Sequence, residues 1–452
     1  MRSACPQYIG GKRSNSLVTA LILAGLGIAE PTALFAKEWT INSCDDGPAA
    51  KGTPGTLRNA ITNATSNDVI DMTELVCGKI TLSNLLVIPQ DYLSLAGPGA
   101  DELTITIAPN TSRLMIHNGR TELLISKLTL DSGFLEVSNG QANGGCVFSE
   151  STLRIQDSVV SHCTSKSMSG FTALGGGISA SKIYLTNSTI SGNSAQGAGS
   201  GGAIGGGVYA RGNIHVYDST FTNNFTQTDT STLNAGGAIY IGGGGTTVIM
   251  SSLIANNQSE LGAIWVSSSL KPYLVTIANS TITGNRSSGT AGVTSYRPMQ
   301  IYNSTIANNV STGHVAAGVF AYSTLSMQST IAANNIAQGG SPNLLDVDSD
   351  DGPITGSNNL ITGASGTVPI DTISACPLLG ALDDKGGPTL ILAIAHNSPA
   401  IDAGSNLHNF QFDQRETGFE RKFGAAPDIG AFEWQGNADD RIFAGEFENR
   451  CM

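Results

Sequence analysis

DSVVSHC from Asp157, NSTISGN from Asn187, DSTFTNN from Asp218, SSLIANN from Ser251, NSTITGN from Asn279, NSTIANN from Asn303 and QSTIAANN from Gln328 are seven variants of one phrase. Their starts lie 30, 31, 33, 28, 24 and 25 residues apart, and self-similarity at a period in this range marks a stacked solenoid. The unit is β rather than helical: the phrases are rich in Ser, Thr, Ile and Val, with Gly and Asn as punctuation. A second element alternates with them: GGCVF from Gly144, GGIS from Gly176, GGVY from Gly206, GGAIY from Gly236, GAIW from Gly262, AGVT from Ala291 and AGVF from Ala317. One turn of the coil therefore reads as a glycine bend, two short strands and an Asn-rich bend, since Gly reaches positive φ freely and Asn tolerates it. Stacking such turns predicts a ladder of side-chain amides from Asn193, Asn224, Asn257, Asn285, Asn309 and Asn335.

The expected fold is all-β, a single-stranded right-handed parallel β-helix with an N-terminal cap and a small C-terminal cap domain. Upstream, KITLS, LLVIP, YLSLA, ELTITI, RLMIH and ELLIS between Val69 and Gly133 alternate with period two and read as earlier coils. In GTLRNAITNA from Gly55, Leu57, Ala60, Ile61 and Ala64 share one helical stripe, which predicts a short capping helix. A solenoid needs such a cap to cover its end core and unpaired edges. The expected boundaries are a leader at 1–36, the cap at 37–68, coils at 69–340, a distinct C-terminal region at 341–435 and a tail at 436–452.

Composition narrows the function classes. Charged residues make up 13% and apolar ones 40%, enough to fill a narrow core, so disorder is excluded. A net charge of −12 argues against nucleic acid, whose phosphates need a basic surface. Lys12 and Arg13 precede an apolar run from Leu17 to Ile28 and then small residues, the layout of a cleaved export signal. No later stretch is long and apolar enough to span a membrane as a helix. Beyond Cys5, six cysteines remain, Cys44, Cys77, Cys146, Cys163, Cys376 and Cys451, an even number that fits disulfides in an exported chain. Sequential pairing is the simplest of 15 connectivities.

Several segments resemble known families. NSCDDGPAAKGTPGTLRNAITNA resembles the N-terminal cap of exported bacterial right-handed β-helices of the pectate-lyase-like superfamily. GGAIY and FTNN resemble repeats of polymorphic outer-membrane proteins. LLGALDDKGGPTLILAIAHNSPAIDAGSN, followed by FDQRETGFERKFGAAPDIGAFE, resembles the choice-of-anchor Q domain, although Pro427 stands where many relatives have Cys. The end, DDRIFAGEFENRC from Asp439, resembles an acidic aromatic tail of some exported proteins, a recognition tail or a final strand held by Cys451. These resemblances imply a location outside a bacterial cell, extracellular or on the outer-membrane surface.

Candidate sites are sparse. The superfamily includes lyases and hydrolases, and Asp157 and Asp218, two coils apart in one column, would stand about 9.6 Å apart, twice the strand spacing, near the upper limit for an inverting pair. Asp, Asn and Ser in that column equally suit a bend through local hydrogen bonds. Asp346, Asp348 and Asp350 alternate like calcium ligands, but Asp351 replaces the turn glycine and Ser357 the bidentate Glu of such a loop. Asp383, Asp384, Asp402 and Asp428 are expected in turn and capping roles. One residue beyond the inward aliphatic of each glycine-bend strand come Phe148, Ser179, Tyr209, Tyr240, Trp265, Thr294 and Phe320, an outward column. Tyr209, Tyr240, Trp265 and Phe320 are therefore candidates to stack on a ligand, or else to pack on one another. The function expected is non-catalytic recognition or adhesion at the cell surface, with a polysaccharide or a matrix protein as partner and no required cofactor. A polysaccharide lyase or glycoside hydrolase is the alternative.

Overall fold

A computed structural model of the protein describes residues 36–47, 50–168, 170–229, 233–267, 273–313, 316–339 and 345–436. The expected leader up to Phe35 and the tail from Asn437, Cys451 included, lie outside the described residues. The chain winds as a parallel β-helix. An 11-stranded face runs from Lys79–Leu82 to Leu360–Ile361, and a 20-stranded face carries two strands from most coils, all paired in parallel. Within that larger face the inward residues Val147, Ile178, Val208, Ile239, Ile264, Val293 and Val319 stack in register and are fully buried. The stretches between Val69 and Gly133 form earlier coils, with Tyr92–Ala96 and Glu122–Ser126 alternating in burial as period two requires. No described helix is long and apolar enough to cross a membrane.

Chain reversals set the columns. The first residue of each phrase turns through positive φ, from 43° to 50° at Asp157, Asn187, Asp218, Ser251, Asn279 and Asn303. In the last phrase Ser329 takes this corner, φ 47°, while Gln328 pairs with Tyr302 one position earlier. The extra alanine of QSTIAANN thus shifts the phrase by one, and Ala332 rather than Ile331 stands in register with the inward Ile306. A second positive-φ corner, at Asn223, Asn256, Asn308 and their equivalents, immediately precedes the amide ladder. Glycine is required where coils touch: a Cβ on Gly176 would lie 2.1 Å from the Gly206 carbonyl oxygen.

The amide ladder is present and continuous. Each Asn Oδ1 accepts the backbone N–H and the Nδ2–H of the asparagine one coil earlier, at 2.9–3.1 Å and 2.8–3.0 Å, from Asn193 to Asn335. Cys163 opens it by donating its N–H to Asn193, and Asp346 closes it by accepting both donors of Asn335. A serine ladder runs beside it. Ser158, Ser188, Ser219, Ser252, Ser280 and Ser304 each accept the N–H of the preceding coil's residue and donate to the carbonyl two residues back. Together they satisfy buried backbone groups that a corner would otherwise orphan.

At the N-terminal end, helix Leu57–Asn63 is capped by Thr56 and buries Leu57, Ala60 and Ile61 against the first coils. Cys44 pairs with Cys77 and Cys146 with Cys163, the sequential pattern; Cys376 is disulfide-bonded as well. The C-terminal region closes the last coil, with Ile361 donating to Ile373 and Ser365 to Val347. It then folds back along the 11-stranded face. Leu379, Ile391, Ile394, Ile429 and Phe432 pack on Ala307, Ile331, Ala333 and Leu360, and Ser251, Asn279, Thr281 and Asn303 bond to Glu416, Phe412, Gln414 and Ser405.

Removing one rung tests the ladder. Asn257→Ala leaves the N–H and Nδ2–H of Asn224 without their acceptor and is expected to cost about 2–4 kcal/mol, whereas Asn63→Ala, on the exposed helix surface, should cost about 0.5 kcal/mol or less. Chemical denaturation midpoints measure both.

Candidate functional site

Coil length changes partway along the solenoid, and that change shapes the surface. Val147, Ile178, Val208 and Ile239 follow one another at intervals of 31, 30 and 31 residues, but Ile239 to Ile264 takes 25. The long coils spend their extra residues on a narrow ladder formed by Ala142–Asn143, Ala173–Leu174, Ala203–Ile204 and Asn234–Ala235. That ladder ends in a single bridge from Ala235 to Leu261. Where the coils shorten, an open trough of about 420 Å³ appears, lined by Gln227, Asn234, Gln258, Glu260, Arg286, Ser288 and Thr312 among others. It shares Gln227 with a neighbouring hollow of about 250 Å³ lined by Lys166, Met168, Gln196 and Asp229.

The lining belongs to six successive coils: Lys166 stands beside Gln196 and Gln196 beside Gln227, while Gln258, in register with Phe225, stands beside Arg286. At roughly 4.8 Å per coil, the lining covers about 24 Å along the axis. Sequence reading passed over these residues although a signal was there. The third residue after each rung of the amide ladder is polar throughout: Lys166, Gln196, Gln227, Glu260, Ser288, Thr312 and Gln338. Gln227, Gln258 and Arg286 are exposed, and no hydrogen bond from their side chains to another described residue is formed. Lys166 pairs with Glu136 at 2.9 Å.

The outward ring column stands in the expected register, Tyr209 beside Tyr240, Tyr240 beside Trp265 and Thr294 beside Phe320. It is not an exposed row, however. Tyr240, Trp265 and Phe320 are 6%, 8% and 9% exposed, because Leu174, Ile204, Ala235 and Leu261 from the narrow ladder close over Tyr240 and Trp265. Rings also cover rings: Tyr209 stacks on Tyr240 at 5.8 Å, Trp265 meets Tyr296 at 5.8 Å, and Tyr296 stacks on Tyr322 at 4.0 Å. Half-buried Phe148 and Tyr209 and the Tyr296–Tyr322 pair remain open to solvent. Asn234 and Glu260 line the trough while their chain neighbours Ala235 and Leu261 join the ring cluster, so the two features share one ridge.

Asp157 and Asp218 occupy the corner column, away from the trough. Asp157 is exposed and accepts from Asn187 Nδ2 at 2.8 Å. Asp218 is half-buried beside Glu416 of the C-terminal region, and burial, with the Glu416 charge adding to it, pushes its carboxyl up to about 6. Asp346, Asp348 and Asp350 do not converge. Asp346 ends the amide ladder, fully buried, and accepts Thr362 Oγ1 at 2.6 Å. Among the described residues no three acidic, His or Cys side chains are grouped to hold a metal. Asp383, Asp384, Asp402 and Asp428 cap turns: Asp384 accepts Gly386 N–H, and Asp402 accepts those of Ala425 and Ala426. Asp413–Arg415 and Arg421–Glu433 are fully buried ion pairs that knit the FDQRETGFERKFGAAPDIGAFE stretch together.

No family model matches the chain and no curated protein does, so the resemblances read from its motifs rest on those motifs. Among solved structures, a pectate lyase, Pel9A, superposes with a TM-score of 0.40 at 13% identity, covering 89% of this chain and 97% of that one. A likeness at that level says nothing about the site.

Two outcomes follow from this geometry. Trp265→Ala empties a covered site and is expected to cost about 3–5 kcal/mol, whereas Tyr322→Ala, at the open end of the ring stack, should cost about 1 kcal/mol; thermal unfolding distinguishes them. Because the carboxyl of Asp218 sits above its ordinary value of 3.8, the folded chain gains by holding that proton. This gain is full below that value and lost as pH rises through about 6. The melting temperature of Asp218→Asn should therefore lose that part of its pH dependence.

Proposed function

We propose that this protein is an exported, non-catalytic β-helix that binds a polysaccharide along its side. The observation that carries the reading is the long polar trough. The side-chain amides of Gln227 and Gln258 and the guanidinium of Arg286, from consecutive coils, face solvent in it without a hydrogen bond to another described residue. The hydroxyls of Ser288 and Thr312, which donate to backbone carbonyls, keep lone pairs to accept with, and together this is the chemistry that sugar hydroxyls need. Two disulfides among the described residues fit a chain that works in an oxidising compartment. The ring column stiffens the ridge beside the trough, and Tyr209 is its member best placed to touch a ligand. A ladder-braced scaffold presents such a surface with little to lose on ordering, since its side chains stand on rigid strands.

A second reading, hydrolysis, is favoured by one feature: Asp218, which keeps its proton to about pH 6 beside a second carboxylate, Glu416, is suited to general-acid work.

Purified protein should bind immobilised polysaccharide, and Gln227→Ala with Arg286→Ala should weaken binding by about tenfold or more without lowering the melting temperature, as expected for two lost polar contacts. Retention of full affinity in the double variant would move the site elsewhere. Counting released chain ends tests the second reading, which requires release that Asp218→Asn abolishes.

A further inference from the structure

Resting on the glycan reading of the same trough, we propose that its ligand is an extended, uncharged ribbon-like glycan whose chain runs parallel to the solenoid axis, one sugar per coil. The lining argues for direction first. Polar side chains recur from coil to coil in two neighbouring columns: Lys166, Gln196 and Gln227 stand in register on the long coils, and Gln258 and Arg286, in register with Phe225 two residues before Gln227, follow on the short ones. Hydrogen-bonding groups thus recur roughly every 4.8 Å along the axis. A chain of pyranoses joined through equatorial bonds advances by a similar distance per sugar, so successive sugars, alternate ones turned over, come to successive coils. A glycan that coils would turn away from the row after a few units. A chain laid across the trough would meet the ridge at Asn234 instead.

Charge argues against a polyanion. Lys166 is already paired with Glu136, and the remaining charges in the described lining are Arg286 against the carboxylates of Asp229 and Glu260. The trough therefore offers no net positive field, on a chain whose formal charge is −12. An acidic polymer would bring its own carboxylates against Asp229 and Glu260, which repel them. Neutral hydroxyls can use both the acids as acceptors and the amides as donors and acceptors.

Calorimetric titration of the whole protein with cello- and xylo-oligosaccharides of increasing length tests this, with malto-oligosaccharides as coiled and oligogalacturonates as charged comparators. The expected result is an affinity that rises about twofold to tenfold with each added sugar, one net hydrogen bond apiece, and levels off once the contributing coils are filled. Gln227→Ala should shallow that rise, and the comparators should bind weakly at every length. Affinity independent of length, or malto-oligosaccharides or oligogalacturonates binding as tightly as the ribbon-like sugars, overturns the inference while leaving a glycan site in place. Binding of none of the four series overturns the glycan reading along with it.

Discussion

The coils between Cys163 and Asp346 are held in step by the buried amide ladder. At that corner the chain reverses with its backbone N–H pointing inside, where an unpaired donor is costly. One asparagine per coil accepts the N–H from the coil before and passes its own amide to the coil after. The side chain must reach across one strand spacing in both directions, as Asn224 does by donating to the carbonyl of Ile190 on the coil before and to Asn257 on the coil after. The ladder therefore dictates register, and a one-residue slip would break two hydrogen bonds per coil. Its ends show the same demand: Cys163, tied by a disulfide, supplies the first donor, and Asp346, which can only accept once ionised, supplies the last acceptor.

With register held there, the outer rows become separate surfaces. On the 11-stranded face the outward pair is Thr189 and Ser191, then Thr220 and Thr222, then Leu253 and Ala255, and later Ile331 and Ala333. Where the C-terminal region lies down, it packs apolar residues on Ile331 and Ala333 and bonds through Gln414 and Ala431 to Thr281 and Thr305 on the two preceding coils. Across the ladder corner from that face, coils that lose about six residues leave a step, and the step is the trough. In both cases function-bearing geometry comes from differences between coils that are otherwise the same.

Much of this was legible beforehand. The phrase period, the two bends, the ladder asparagines and the inward aliphatics each depend on spacing along the chain, which a repeat displays openly. The ring column was also placed correctly, one residue beyond the inward aliphatics. What spacing does not carry is cover: Tyr240 and Trp265 look exposed until Leu174, Ile204 and Leu261, far away in sequence, close over them. The alternation of Asp346 with Asp348 and Asp350 likewise gives no hint of the partner Asp346 takes, Asn335 on the preceding coil.

The sequence alone determined a parallel β-helix, its register and its capped ends, because those follow from local backbone demands repeated every coil. Tertiary structure decided which outward residues meet solvent and which meet one another. That choice depends on coil length and on where the C-terminal region packs, and both place residues such as Asp218 and Glu416, or Gln227 and Arg286, together across distances that no local pattern encodes.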